Sequence, residues 1–208
     1  MVLNETQDYI VVDKPSPLLV HPSSPGNPPS LLDEIKALLA YDIANGASLS
    51  IINRLDRETS GVVLIAKNKE TARRFGIAMQ NREIEKEYVA LVKGRPKKEK
   101  FTVDAPILRA GEIYDSPIWV KQTVHPKGKA CITDFELLEE KGSFCLLKAI
   151  PRTGRMHQIR VHAQHVNLPI VGDKIYGGDD SCYLEFINTG WSKSLQSKLI
   201  LPRQALHC

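Results

Sequence analysis

The sequence predicts an α+β fold: short strands paired antiparallel, helices set between them, and polar chemistry carried by loops. Three observations carry this. Apolar residues recur at helical spacing in two windows, Leu31 to Ile43 and Ala72 to Met79. Short apolar runs of strand length, such as YIVVD (9–13) and VVLIA (62–66), lie between turn formers. From Phe101 to Ala149, several such runs follow one another with Gly and Pro between them, the pattern of antiparallel sheet.

Taken in order, Tyr9 to Asp13 reads as a short buried strand broken by Lys14-Pro15, and a Pro/Ser/Gly-rich surface loop runs from His21 to Pro29. Ser30 with Asp33 has the form of a capping box. Leu31, Leu32, Ile35, Leu38, Leu39 and Ile43 then predict one amphipathic helix ending before Gly46. Ile51-Ile52 leads into NRLDRETSG (53–61), a polar loop between packed elements, and Val62 to Ala66 is a buried strand. Asn68 can cap a second helix running to about Gln80, with Ala72, Phe75, Ala78 and Met79 inward. Glu85 to Val92 is the next strand, and alternation puts Tyr88, Ala90 and Val92 on one side. FTVDAPI, SPIWVKQTV, ACITDFELLEE and SFCLLKAI follow as strands. A helix beginning near Met156 places Ile159, Ala163 and Val166 on one face, and Leu168 to Gly172 returns as a strand. With no repeat, low-complexity tract or linker, one domain over residues 1–208 is expected.

Apolar residues at 42% and charged residues at 25% supply a sizeable core. No run approaches the ~18 apolar residues of a membrane span, and the N-terminus lacks the features of a signal peptide. A cytoplasmic location, with no membrane association, is the expectation. Cys131, Cys145, Cys182 and Cys208 form no CxxC pair, which argues against a zinc knuckle or redox motif. The net charge of +4 permits polyanion binding without requiring it. Solvated surface charge suffices to explain Arg73-Arg74 and Lys93 to Lys100, whereas Arg152, Arg155 and Arg160 are better placed to line a phosphate track.

Three segments combine ionisable groups with rigid flanks: residues 53–61, the strand around Tyr88, and residues 152–162. Taken singly, Asp56 fits a carboxylate bonding its own turn, and Tyr88 fits a core tyrosine. His157, His162 and His165 lack an HExxH or CxxC context, so no metal or other cofactor is expected. The third segment is more informative. A helix beginning near Met156 gathers Arg155, His157 and Arg160 at its positive end, where cations are disfavoured. A negative partner is therefore expected nearby: Asp56, an RNA phosphate, or both.

NRLDRETSG resembles the HRLDxxTSG signature of the RluA-type pseudouridine synthases. VVDKPSPLLVHP, EKEYVALVKG (85–94), RTGRMHQIRVHAQHVNLPIVGDKIYG (152–177) and the terminal LPRQALHC agree with that family in order and spacing. The resemblance implies a mostly antiparallel central sheet with flanking helices and a central active-site cleft. It implies that Asp56 is the catalytic aspartate, that Arg54 fills the gap left by a flipped base, that Tyr88 packs on the target base, and that Arg160 pairs with the aspartate. Arg155, His157 and Gln158 join Arg54 as expected substrate-binding residues. Asn53 stands where many members have histidine. Relatives also continue through another short strand where this chain ends, so part of the sheet or cleft wall is expected to be missing or replaced.

The implied reaction isomerises uridine in ribosomal or transfer RNA by moving C1′ from N1 to C5 of the uracil. Nothing is gained or lost, so the second carboxylate of a glycosidase is unnecessary. No S4-type RNA-binding domain fits before Tyr9, which leaves recognition to the catalytic domain, and a monomer is expected. Two other classes fit the same residues: an RNA-binding module without catalysis, and an N-glycosylase that releases uracil.

Overall fold

The computed structural model describes residues 1–22 and 28–208, so residues 23–27 of the loop expected at 21–29 lie outside the described residues. The chain divides into two compact units, Met1–Glu85 with Cys208, and Lys86–His207.

In the first unit, β1 (Val2–Glu5), β2 (Tyr9–Lys14), β3 (Ser50–Ile51) and β4 (Gly61–Ala66) form an antiparallel sheet in the order β1-β2-β4-β3. β2 and β4 dominate it, pairing from Tyr9 with Ala66 to Lys14 with Gly61. Ile10, Val12, Val63 and Ile65 are buried as alternation requires. The capping box at Ser30 forms as predicted, but the helix is broken into α1 (Leu31–Leu38) and α2 (Ala40–Ala44). Leu39 leaves helical geometry at φ −99°, ψ 26° and is buried, while Leu38 faces water. The apolar stripe was correctly read; the break within it leaves no mark on the spacing. Asn68 caps α3 (Lys69–Gln80) by accepting the Thr71 amide. Phe75 meets Tyr9 edge to face.

In the second unit, β5 (Tyr88–Lys93), β6 (Lys100–Asp104), β9 (Ile132–Lys141), β10 (Phe144–Pro151) and β11 (Leu206–His207) form an antiparallel sheet in the order β11-β5-β10-β9-β6. β7 (Ile107–Arg109) and β8 (Gln122–Val124) form a separate hairpin. Tyr88, Ala90 and Val92 do share the buried side of β5. The helices are α4 (Gln158–His165), α5 (Asp180–Thr189) and α6 (Lys193–Leu199).

Three expectations in this unit need correction. SPIWVKQTV is strand only over its last three residues, because Ser116, Pro117 and Ile118 turn the chain back toward β7. The strand expected at 168–172 is reduced to a bridge between Ile170 and Val92. Pro169 has no N–H for a ladder, and Gly172 adopts φ +78°, where a Cβ would lie 1.9 Å from the Arg203 carbonyl oxygen. The fourth helix starts at Gln158, since His157 takes a left-handed conformation (φ 56°) and cannot belong to it.

Candidate active site

The 53–61 loop is held at both ends and in the middle. Asn53 donates to the Val62 carbonyl (2.9 Å) and accepts the Leu64 amide (2.8 Å), so its side chain continues the β3–β4 ladder. At the far end, Gly61 (φ +119°) brings the chain so close to Cys208 that a Cβ would meet the Cys208 carbonyl oxygen at 2.2 Å. Cys208 also donates to Ser60 O and accepts from the Val62 amide. Between these ends, the Thr59 amide donates to Asp56 O (3.1 Å) and closes a turn. Leu55, Thr59 and Ser60 are buried, Arg54 is exposed and Asp56 is half-buried.

Lys14 anchors this loop from below, and sequence reasoning missed it. Its side chain is fully buried, and Nζ donates to the carbonyls of Pro15, Leu18 and Arg57. The Arg57 carbonyl also accepts the Leu18 amide. A buried ammonium must have acceptors, and here one of them belongs to the residue directly after Asp56. The only signal was a lysine following an apolar strand in YIVVDK.

In the second unit, Tyr88 opens β5, is 9% exposed, and pairs in register with Ala149. The turn after β10 is organised around Gln158, whose amide makes four bonds. Oε1 accepts from Thr153 Oγ1 (2.8 Å) and the Arg155 amide (3.0 Å); Nε2 donates to Ile132 O (2.8 Å) and Thr133 Oγ1 (3.0 Å). Gln158 is buried and its amide is saturated, so within the structure it fixes the turn that presents its neighbours.

The Thr133 hydroxyl, holding the Gln158 donor, lies 2.8 Å from His162 Nδ1, and His162 Nε2 lies 2.9 Å from Ala105 O. A carbonyl only accepts, so Nε2 carries the proton and Nδ1 receives that of Thr133. Burial pushes the His162 pKa down, with the bond to Ala105 opposing it in part.

One negative partner of the basic helix start is Asp173, another residue the sequence reading passed over. Arg160, itself buried, donates to it through Nε (2.6 Å) and Nη2 (2.9 Å). The amides of Ile175 and Tyr176 donate to Asp173 Oδ1. Burial opposes ionisation of Asp173, but the Arg160 charge and these hydrogen bonds outweigh it and hold the carboxyl below its usual range. Arg160 also lies over the Tyr176 ring (5.0 Å), and His157 Nδ1 is 2.8 Å from the Tyr176 hydroxyl.

The proposed phosphate track is thereby narrowed. Arg160 is buried, while Arg152 and Arg155 are both exposed, Arg152 in a two-point ion pair with Asp134 and Arg155 with its Nε 3.4 Å from Ala130 O. A groove of about 310 Å³ opens on β6, β9 and β10. Its carboxylates are engaged by Lys100, Thr102 and Arg152, and it holds none of the candidate residues.

Residues 8–165 match the family described as RNA pseudouridylate synthase, and the chain belongs to that family. It is 43% identical over 169 residues to an uncharacterized RNA pseudouridine synthase of Chloroflexus aurantiacus, covering 79% of this chain and 51% of that protein. It is 37% identical over 185 residues to the ribosomal large subunit pseudouridine synthase D of Escherichia coli K12, covering 85% and 52%. The chain thus spans about half the length of the curated relatives it matches. The solved structure of human RNA Pseudouridylate Synthase Domain Containing 4 aligns with 99% of this chain and 81% of its own, at 25% identity and a TM-score of 0.75. Human RNA Pseudouridylate Synthase Domain Containing 1 shares the fold, at 22% identity and a TM-score of 0.73.

Proposed function

We propose that this chain is an RNA pseudouridine synthase that isomerises uridine in ribosomal or transfer RNA, working in the cytoplasm as a monomeric catalytic domain without a cofactor. The observation that carries the reading is Asp56: it stands in the family's RLD segment, half-buried, on a loop braced by Asn53, Lys14 and Gly61. The relative named for the large ribosomal subunit favours ribosomal RNA.

In this reading Asp56 acts as a carboxylate. It adds to C1′ as N1 departs with the bonding pair, or takes the C2′ proton to give a glycal. The uracil turns, and C5 bonds to C1′ as the Asp56–C1′ bond breaks or, by the glycal route, as Asp56 returns the proton to C2′; the C5 proton is then lost and N1 gains one, so the product is an isomer. Arg160 is proposed to keep Asp56 ionised, since a nearby cation lowers a carboxylate pKa by ~1 to 3 units. Tyr88 offers a ring face to the uracil, and Arg54 a planar group for the space the base vacates. Arg155 and His157 are proposed to meet the RNA backbone.

The test is pseudouridine formation in RNA from cells lacking the gene. The purified chain should form it and Asp56→Asn should not, while both bind RNA alike. Near-normal yield from Asp56→Asn removes the assignment; free uracil among the products replaces isomerisation with glycosidic hydrolysis.

A further inference from the structure

The connection between β7 and β8 carries a group that the proposed reaction does not use. Ile118 is buried in a cluster with Ile107, Cys131 and Val161, and Val120 packs against it. Trp119, between them, is turned outward and 76% exposed. Its position is fixed, because the Lys121 amide donates to Ile118 O and the Ala110 amide to Lys121 O. Tryptophan is highly buried on average in folded proteins, whereas here its own neighbours hold the indole in water.

Arg109 covers one face of the ring, its guanidinium carbon 3.8 Å from the centroid. That stacking orients the indole, and the ring's high exposure leaves its other face to solvent. The pair is also physically continuous with the 153–158 turn. Arg109 pairs in register with Gln122, whose side-chain amide lies 3.6 Å from Met156 Sδ and whose backbone amide donates to the Tyr176 hydroxyl beside His157. The segment that carries it, residues 109–129, holds Arg109, Lys121, Lys127 and Lys129 against Glu112 and Asp115, an excess of positive charge along the chain. Glu112 lies 3.8 Å from Arg109, and Asp180 is paired with Lys121. An open aromatic face backed by a guanidinium, on a segment of net positive charge, is the chemistry that takes a nucleobase, since every base has a face to stack and a phosphate alongside.

We propose that Trp119, backed by Arg109, is a stacking site for an unpaired RNA base outside the target uridine, an inference that rests on the reading of RNA as substrate. The experiment is a titration with a short, fluorescently labelled single-stranded RNA, following anisotropy and tryptophan emission. Trp119→Ala should weaken binding roughly 5- to 150-fold, the range for loss of one base–aromatic stack, and Trp119→Phe should retain most of the affinity. RNA should quench emission in the wild type and in Trp191→Phe, and the quench should vanish in Trp119→Phe. Unchanged affinity in Trp119→Ala overturns the proposal, as does a quench that persists in Trp119→Phe. A change of oligomeric state in Trp119→Ala with RNA binding intact also overturns it and makes the surface a protein interface. RNA binding that depends on Trp119 supports the site whether or not the chain converts uridine, so failure of the synthase reading shows separately in the pseudouridine assay.

Discussion

His162 is held neutral by its surroundings. Its ring is inaccessible to water, one nitrogen faces a carbonyl and the other a hydroxyl already occupied by the Gln158 amide. The folded-state pKa therefore lies below the ordinary 6.5. When pH falls below about 6.5, the unfolded chain takes up a proton that the folded chain refuses, and stability declines until the folded pKa is reached. Thermal melts from pH 7.5 down to pH 5 should show this loss. His162→Gln, less stable at neutral pH, should have a flatter profile over that window; an equally steep profile would assign the slope to another group. The Asp173 pair acts in a lower range: its stabilisation is present above the usual aspartate pKa and is lost as pH falls through the depressed folded value.

At the scale of elements, loop 53–61 depends on two backbone devices. Gly61 has a positive φ suited to glycine, and its Cα lies against the Cys208 backbone. Such a conformation costs a non-glycine residue about 1–3 kcal/mol before any clash. Gly61→Ala should lower the melting temperature by several degrees, at roughly 2–4 °C per kcal/mol for a chain of this size. A melt matching wild type would mean that Cys208 moves aside freely. The strands and the α3 cap were legible because they are local: alternation in β2 and β5, an Asn three residues before the amide it accepts. The break at Leu39 leaves no mark on the apolar spacing, and the loss of strand at 168–172, which Pro169 could have signalled, also turns on the approach of Gly172 to the distant Arg203 carbonyl. The same division holds in the site. All of Asp56, Tyr88, Lys14 and Asp173 stand within segments that resemble the family, but the bonds of Lys14 to the Arg57 carbonyl and of Asp173 to Arg160 join separate segments and have no local pattern to announce them.

At the scale of the whole molecule, the modest excess of positive charge overstates what is available to the RNA substrate proposed above. Arg95, Lys100, Lys148 and Arg152 are each ion-paired with a carboxylate in their own unit, as are Lys67 and Arg160. Surface pairs contribute little stability, but they occupy cations that would otherwise meet phosphates. RNA affinity should therefore depend only moderately on salt. With about −0.7 in logarithmic slope per phosphate neutralised on a single strand, a slope no steeper than roughly −3 is expected from binding at several salt concentrations. A much steeper slope would mean that these pairs open when RNA binds.

Thr133, Gln158 and His162 share one directional chain of protons running from a side-chain amide to the Ala105 carbonyl. No member can be exchanged alone without stranding a neighbour's donor or acceptor in the interior. These three positions should accordingly be inherited as a set, and a homologue that has abandoned one of them should have rebuilt the others.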